Sequence, residues 1–255
     1  MSAPTANKWV TYHRPQPDAK LRLFCFPYAG GGASVYRRWA GELALAAEVC
    51  ALQLPGRETR IGEAAFNRIG PLIEEMARAI LPHLDRPFIF YGHSMGAKIG
   101  FELTRLLRRE LGLLPSHLFV SGCRAPHLPR PRAPIYELPD PEFIEELRRL
   151  NGTPAEVLAY DDLMRLMLPM LRADIAICDT YRYTPDRPLD CPITAFGGLQ
   201  DPDVGRHDLE GWREHTNAAF ALHMFPGGHF FNNESSALLL RTLFKDLHQL
   251  SRALV

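Results

Sequence analysis

The chain predicts an α/β fold, a mostly parallel central sheet flanked by helices, with a helical segment inserted late. Three observations carry that expectation. Apolar runs at residues 21–26, 48–54, 88–91, 117–121, 192–196 and 219–225 have the length and continuity of strands buried on both faces. Helical patterns alternate with them at 35–45, 69–84, 97–111, 206–216 and 235–250, the rhythm of strand–helix–strand units. That alternation lapses only between 124 and 188, which opens on crowded prolines and then carries two helical patterns. At 255 residues, a single domain over 1–255 is expected, with 124–188 as an inserted helical lid.

Composition narrows the function. Lys plus Arg equals Asp plus Glu, 29 each, so the basic excess that nucleic acid or an anionic membrane rewards is missing. The five cysteines are odd in number, widely spaced and form no Cys-x-x-Cys pair, which predicts reduced thiols and neither a disulfide framework nor a metal site. The first eight residues lack the apolar core of a signal peptide, and no apolar run is long enough to span a membrane. A cytoplasmic enzyme is the expectation.

Taken in order, residues 9–12 predict a short edge strand. The strand at 21–26 runs into Pro27-Tyr28-Ala29-Gly30-Gly31-Gly32-Ala33-Ser34, whose glycines let backbone N–H groups turn toward a common point. A phosphate-binding loop would need a Gly-Lys-Ser/Thr ending, which is missing; a flexible turn and an oxyanion-binding loop both stay open. The strand at 48–54 closes on Pro55-Gly56-Arg57-Glu58, and Arg57 and Arg60 read either as recognising an anionic partner or, more simply, as solvated side chains. The helix over 69–84 places Leu72, Ile73, Met76 and Ile80 on one face. In the segment 124–188, Asp140-Pro141 is a cap followed by proline at the first helical position, and Asn151-Gly152-Thr153-Pro154 reads as a break. The helix over 161–180 is rich in Met and Leu; Met167 and Met170 are candidates for lining an acyl channel, ordinary packing being the alternative.

The stretch that decides the chemistry is Gly92-His93-Ser94-Met95-Gly96, with a strand before it and a helix after it. That setting makes Gly-x-Ser-x-Gly a nucleophile elbow: Gly92 and Gly96 lack the Cβ atoms that would collide across the bend, and Ser94 is held strained at its tip. A serine hydroxyl needs a base, and the base an orienting acid. Among ten histidines, only His229 stands in a glycine-flanked loop directly after the last strand; His93 sits inside the elbow, pointing along the turn. Asp201 and Asp203 follow the strand at 192–196, and Asp201 is preferred because it comes first, where Pro202 stiffens the turn. The N–H of Met95, next to the nucleophile, requires a second oxyanion donor, and Ala29 in the glycine-rich loop sits where it is expected.

Phe24-Cys25-Phe26-Pro27-Tyr28-Ala29-Gly30-Gly31-Gly32, Leu54-Pro55-Gly56-Arg57, the elbow, Asp201-Pro202 and Gly228-His229-Phe230-Phe231 together resemble the type II thioesterases. These are free-standing editing enzymes of polyketide and nonribosomal peptide synthesis, of the α/β-hydrolase superfamily. The resemblance spans nearly the whole chain. It implies release of stalled or aberrant acyl groups from the phosphopantetheine arm of acyl or peptidyl carrier proteins, in transient encounters. It also implies a triad of Ser94, Asp201 and His229, oxyanion donors at Ala29 and Met95, no metal, and no cofactor beyond the phosphopantetheine that arrives with the substrate. A medium-chain acyl-carrier-protein thioesterase also resembles the family, and a carboxylesterase or acyltransferase would use the same triad.

Overall fold

The computed structural model describes residues 7–130, 132–150, 152 and 160–253. The reading of the first eight residues therefore falls mostly outside the described residues, and that of the break at 151–154 almost wholly so.

Seven strands form one sheet in the order β1-β3-β2-β4-β5-β6-β7: β1 (Val10–Thr11), β2 (Arg22–Phe26), β3 (Glu48–Leu52), β4 (Phe88–His93), β5 (His117–Ser121), β6 (Ile193–Gly198) and β7 (Phe220–Phe225). β1 is antiparallel to β3, and every other neighbouring pair is parallel. Alternation along each strand feeds two cores. Phe24, Phe26, Phe88 and Phe90 join one, with α2 (Ile69–Ile80) and α3 (Met95–Leu111) over it. Leu23, Cys25, Ile89 and Tyr91 join the other, under α1 (Arg37–Glu42) and the C-terminal helix described below. Because both faces are covered, these strands read as unbroken apolar runs rather than alternating ones.

The strand order positions the site. From β2 the chain moves outward through α1 to β3, and from β4 it moves the opposite way through α3 to β5. The segments leaving β2 and β4 thus diverge and open a crevice at the carboxyl ends of two adjacent strands, where open α/β sheets bind ligands. Their ends are level, with Phe26 opposite Gly92. The glycine-rich segment and the serine elbow leave from this point.

The boundaries depart from expectation where local chemistry intervenes. The helix expected at 35–45 is a 3-10 turn, Ala33–Tyr36, followed by α1. The one expected at 69–84 ends at Ile80 and tightens into a 3-10 turn, Leu81–His83, because Pro82 cannot continue an α-helix. The helix expected at 206–216 is α6 (Arg206–Glu210) continued by a 3-10 turn, Gly211–His215. The last helix divides into α7 (Phe231–Glu234) and α8 (Ser236–Ala253). Between β5 and β6 lie α4 (Asp140–Leu150) and α5 (Asp161–Thr180), which share a small core of Phe143, Leu147, Met164, Met170, Leu171 and Ile175. All five cysteines are free thiols. Among the described residues no helix is long and apolar enough to cross a membrane.

Candidate active site

Ser94 is the single residue between β4 and α3, with φ 53° and ψ −112°, a conformation that strains any residue but glycine. Close approach on both sides holds it there. A Cβ on Gly92 would come within 2.1 Å of the Gly96 carbonyl oxygen, and one on Gly96 within 2.2 Å of the Phe26 carbonyl oxygen. The Ser94 N–H donates to the Ser121 carbonyl at 2.7 Å, tying the turn to β5.

His229 leaves the carboxyl end of β7 and Asp201 that of β6. Their two segments are pressed together: the Gln200 N–H donates to the Gly227 carbonyl at 2.9 Å, and a Cβ on Gly198 would strike the Gly228 carbonyl oxygen at 2.1 Å. His229 Nδ1 lies 2.7 Å from Asp201 Oδ2, and its Nε2 lies 3.1 Å from Ser94 Oγ. The other Asp201 oxygen accepts the N–H groups of Asp203 at 2.8 Å and Val204 at 3.1 Å. Burial alone would raise the Asp201 carboxyl; the hydrogen bond and charge of His229, with those two N–H donors, outweigh it and hold the group below the ordinary carboxylate value. An ionised Asp201 only accepts, which makes Nδ1 the protonated nitrogen and leaves Nε2 to accept from the serine hydroxyl.

Asp203 faces elsewhere, pairing with Arg132. His93 is fully buried, with Nδ1 2.9 Å from Ser121 Oγ; burial holds its pKa far below the usual imidazole value, so it stays neutral. Among the described residues, neither the Ala29 nor the Met95 backbone N–H donates to a protein acceptor. Ala29, Ser94 and His229 all line one cavity of about 780 Å³, to which α5 contributes Leu171, Ile175 and Cys178 at helical spacing. Among the described residues no cluster of three or more His, Cys, Asp or Glu could hold a metal ion.

Two expectations need correction. Met167 and Met170 do not line this cavity. Met170 is buried against Phe143 and Leu147 and borders a separate hollow beside Gly56 and Ile61, while Met167 packs on the same small core. Met170 is turned about 100° from Leu171 along the helix, whereas Met167 lies on the Leu171 side one turn earlier, before α5 reaches the cavity. Arg57 and Arg60 are not solvated, and no external anion is needed to explain them. Arg57 is 4% exposed and makes a two-pronged pair with Asp174 of α5, Nη1 to Oδ2 at 2.6 Å and Nη2 to Oδ1 at 2.8 Å. The same Asp174 accepts the Gly30 N–H at 2.8 Å, and Arg57 donates to the Gly31 carbonyl at 3.1 Å. Arg60 donates to the Gln53 carbonyl and pairs with Glu63. Sequence reasoning missed Asp174; it sits among helix-forming residues 117 positions from its partner, and nothing local marks it.

A serine, a histidine and an aspartate, hydrogen-bonded in that order at the carboxyl ends of parallel strands, on an elbow between strand and helix, define an α/β-hydrolase. Comparison with known proteins narrows the class. The family model described as "Thioesterase domain" matches residues 21–248, and the chain belongs to that family, hydrolases that act on thioesters. It is 47% identical over 241 residues to the Gramicidin S biosynthesis protein GrsT of Aneurinibacillus migulanus, covering 94% of each chain. It is 46% identical over 237 residues to Linear gramicidin dehydrogenase LgrE of Brevibacillus parabrevis, covering 92% of this chain and 90% of the relative. That relative's name describes a dehydrogenase, but the Gly-x-Gly-x-x-Gly dinucleotide fingerprint does not occur in this sequence. Among solved structures, the type II thioesterase BorB from the borrelidin biosynthetic cluster superposes with a TM-score of 0.87 at 36% identity, covering 96% of this chain and 100% of that one.

Proposed function

We propose that the protein clears acyl groups from the phosphopantetheine arm of carrier proteins in polyketide or nonribosomal peptide synthesis, through an acyl-enzyme on Ser94. The observation that carries this is the unbroken chain from Asp201 through His229 to Ser94, opening on a cavity large enough for an acyl unit. His229 Nε2 takes the Ser94 proton as Oγ attacks the thioester carbonyl. Asp201 keeps the imidazole in the required tautomer and balances its charge once protonated. The oxyanion develops against the Ala29 and Met95 N–H groups; losing one such donor costs about 3 kcal/mol in a comparable site. The departing phosphopantetheine thiol, with a pKa near that of cysteine at about 8.5, needs little acid assistance. Water activated by the same histidine then releases the acyl group. The scheme requires no metal and no resident cofactor, phosphopantetheine being part of the substrate.

The carrier protein is a transient partner that presents its arm to the cavity. In this reading residues 124–188 act as a lid, and α5 supplies part of the wall of the cavity that Ser94 lines. The test is a panel of carrier domains loaded with acetyl, butyryl, hexanoyl and aminoacyl groups, with release of the free arm followed by mass spectrometry. The same groups are also supplied as oxygen esters. Release from carriers outpacing ester hydrolysis, with the acyl-enzyme mapped to Ser94, is the expected result. Ester hydrolysis alone, or an adduct on any other residue, overturns it.

A further inference from the structure

Lys98 lies four residues beyond Ser94, one turn along α3 and on the same side of the helix, and both line the cavity. What sets it apart is its surroundings. The neighbouring cations of the cavity wall are neutralised, Arg124 by Asp208, Arg130 by Asp179 and Arg132 by Asp203. Arg182 is exposed and donates to the backbone carbonyls of Asp179 and Tyr181. Glu102, one turn further along α3, is taken by Arg105 and the Tyr181 hydroxyl. Among the described residues, Lys98 Nζ reaches only Cys123 Sγ, at 3.4 Å.

A thiol sulfur is a weak acceptor for an ammonium that carries three N–H donors. Lysine is ordinarily an ammonium near neutral pH; burial of Lys98 works against that form, and the interaction with the Cys123 and Cys178 sulfurs that raises its pKa operates only once those thiols lose their protons. Burial pushes the Cys178 thiol up to about 11, so near neutral pH that sulfur brings no countercharge. A charged group set in a substrate cavity with one poor acceptor is costly to keep there, and an anion supplied by the ligand removes that cost.

We propose that Lys98 sets acyl specificity: its ammonium receives a carboxylate at the far end of the acyl group delivered to Ser94, so the cavity selects ω-carboxyacyl thioesters of the glutaryl kind. This rests on thioester hydrolysis at Ser94 as proposed above. Acyl groups with an ammonium toward the far end, such as β-alanyl, bring a second positive charge toward Lys98 and are disfavoured. Hydrolysis of carrier-bound glutaryl, hexanoyl and β-alanyl groups by wild type, Lys98→Met, Lys98→Arg and Lys98→Glu tests it. Methionine keeps the volume and removes the charge, so the glutaryl-to-hexanoyl ratio of kcat/KM falls about tenfold or more, mostly through KM. Lys98→Arg keeps the preference, and Lys98→Glu transfers it to β-alanyl. The Arg and Glu variants carry opposite charge at one site, so the direction of the preference between them decides the matter even if the methionine variant fails to fold. A ratio that ignores the charge at position 98 overturns the role of Lys98 and leaves the hydrolase intact. No hydrolysis of any of the three by wild type overturns the Ser94 reading instead.

Discussion

Two regions meet at the cavity, and they are held by different physics. On the sheet side, backbone places everything: strand registers, the Ser94 N–H on the Ser121 carbonyl, and glycine contacts too tight for any Cβ. On the helical side, between β5 and β6, charged side chains do the placing. Asp174 ties α5 to Arg57 and to the Gly30 N–H. Asp179 accepts the N–H groups of Ile135 at 2.6 Å and Tyr136 at 3.1 Å, and Arg172 donates to the carbonyls of Tyr136 and Leu138 and to Asp140. Backbone placement tolerates most surface substitution, whereas side-chain placement can be undone one residue at a time. The first region therefore fixes the chemistry, and the second can vary what the chemistry acts upon.

The largest effects should come from the sheet side. Ser94→Ala removes one oxygen and no packing, and turnover should fall on the order of 10⁶-fold with the melting temperature unchanged; single-turnover acyl release and calorimetry check both. Asp201→Asn should lower kcat on the order of 10⁴-fold, because an amide can donate where Nδ1 requires an acceptor. Asp203→Asn, which loosens only the pair with Arg132, should cost far less. A reversal of those two results would break the assignment of the acid.

On the helical side the expected losses are in stability and placement. Asp174→Asn leaves the buried Arg57 guanidinium without its countercharge, which should destabilise by about 3–5 kcal/mol in urea unfolding. It also weakens the acceptor of the Gly30 N–H next to the proposed oxyanion donor, so kcat should fall more than KM rises. An unfolding midpoint equal to wild type would show that the pair does not anchor α5. Smaller still is the effect of cavity shape. Leu171→Trp should shift preference toward shorter acyl groups, whereas Met167→Trp should not, since only Leu171 lines the cavity. Equal shifts in both would move the cavity face of α5.

The smallest effect concerns pH. Asp201 titrates lower in the folded chain than its ordinary value, so its stabilising contribution is complete above about pH 3.9 and is lost as pH falls through the depressed value. The melting-temperature gap between wild type and Asp201→Asn should therefore be full at pH 6 and shrink near pH 3. A gap that widens in acid would contradict the depressed value.

The contrast also accounts for what the sequence could disclose. Strand, elbow, acid turn and histidine loop are each local patterns, so the fold, its mostly parallel sheet and the approach of Ser94, Asp201 and His229 were legible in the sequence. The pairing of Arg57 with Asp174 could not, because a long-range ion pair leaves no mark at either end. The helix over 161–180 could be read, but its phase could not. Met164 and Met170 are buried as fully as Leu171 and Ile175, yet only the latter two line the cavity, so apolar content did not say which part of the helix faced it.

The Arg57–Asp174 pair also bears on how a bulky acyl chain enters. Both side chains are almost fully dehydrated, 4% and 1% exposed, so parting them on every turnover would mean rehydrating two ions each time. A swing of α5 as one rigid arm is therefore a poor gate. The helix is packed on both sides of Asp174, through Met164, Met170 and Leu171 before it and Ile175, Ala176 and Ile177 after it. Leu171 and Ile175, the cavity-lining residues on either side of Asp174, are therefore held in place by that dehydrated pair, so two ions far apart in sequence fix the shape of the space that an acyl chain meets.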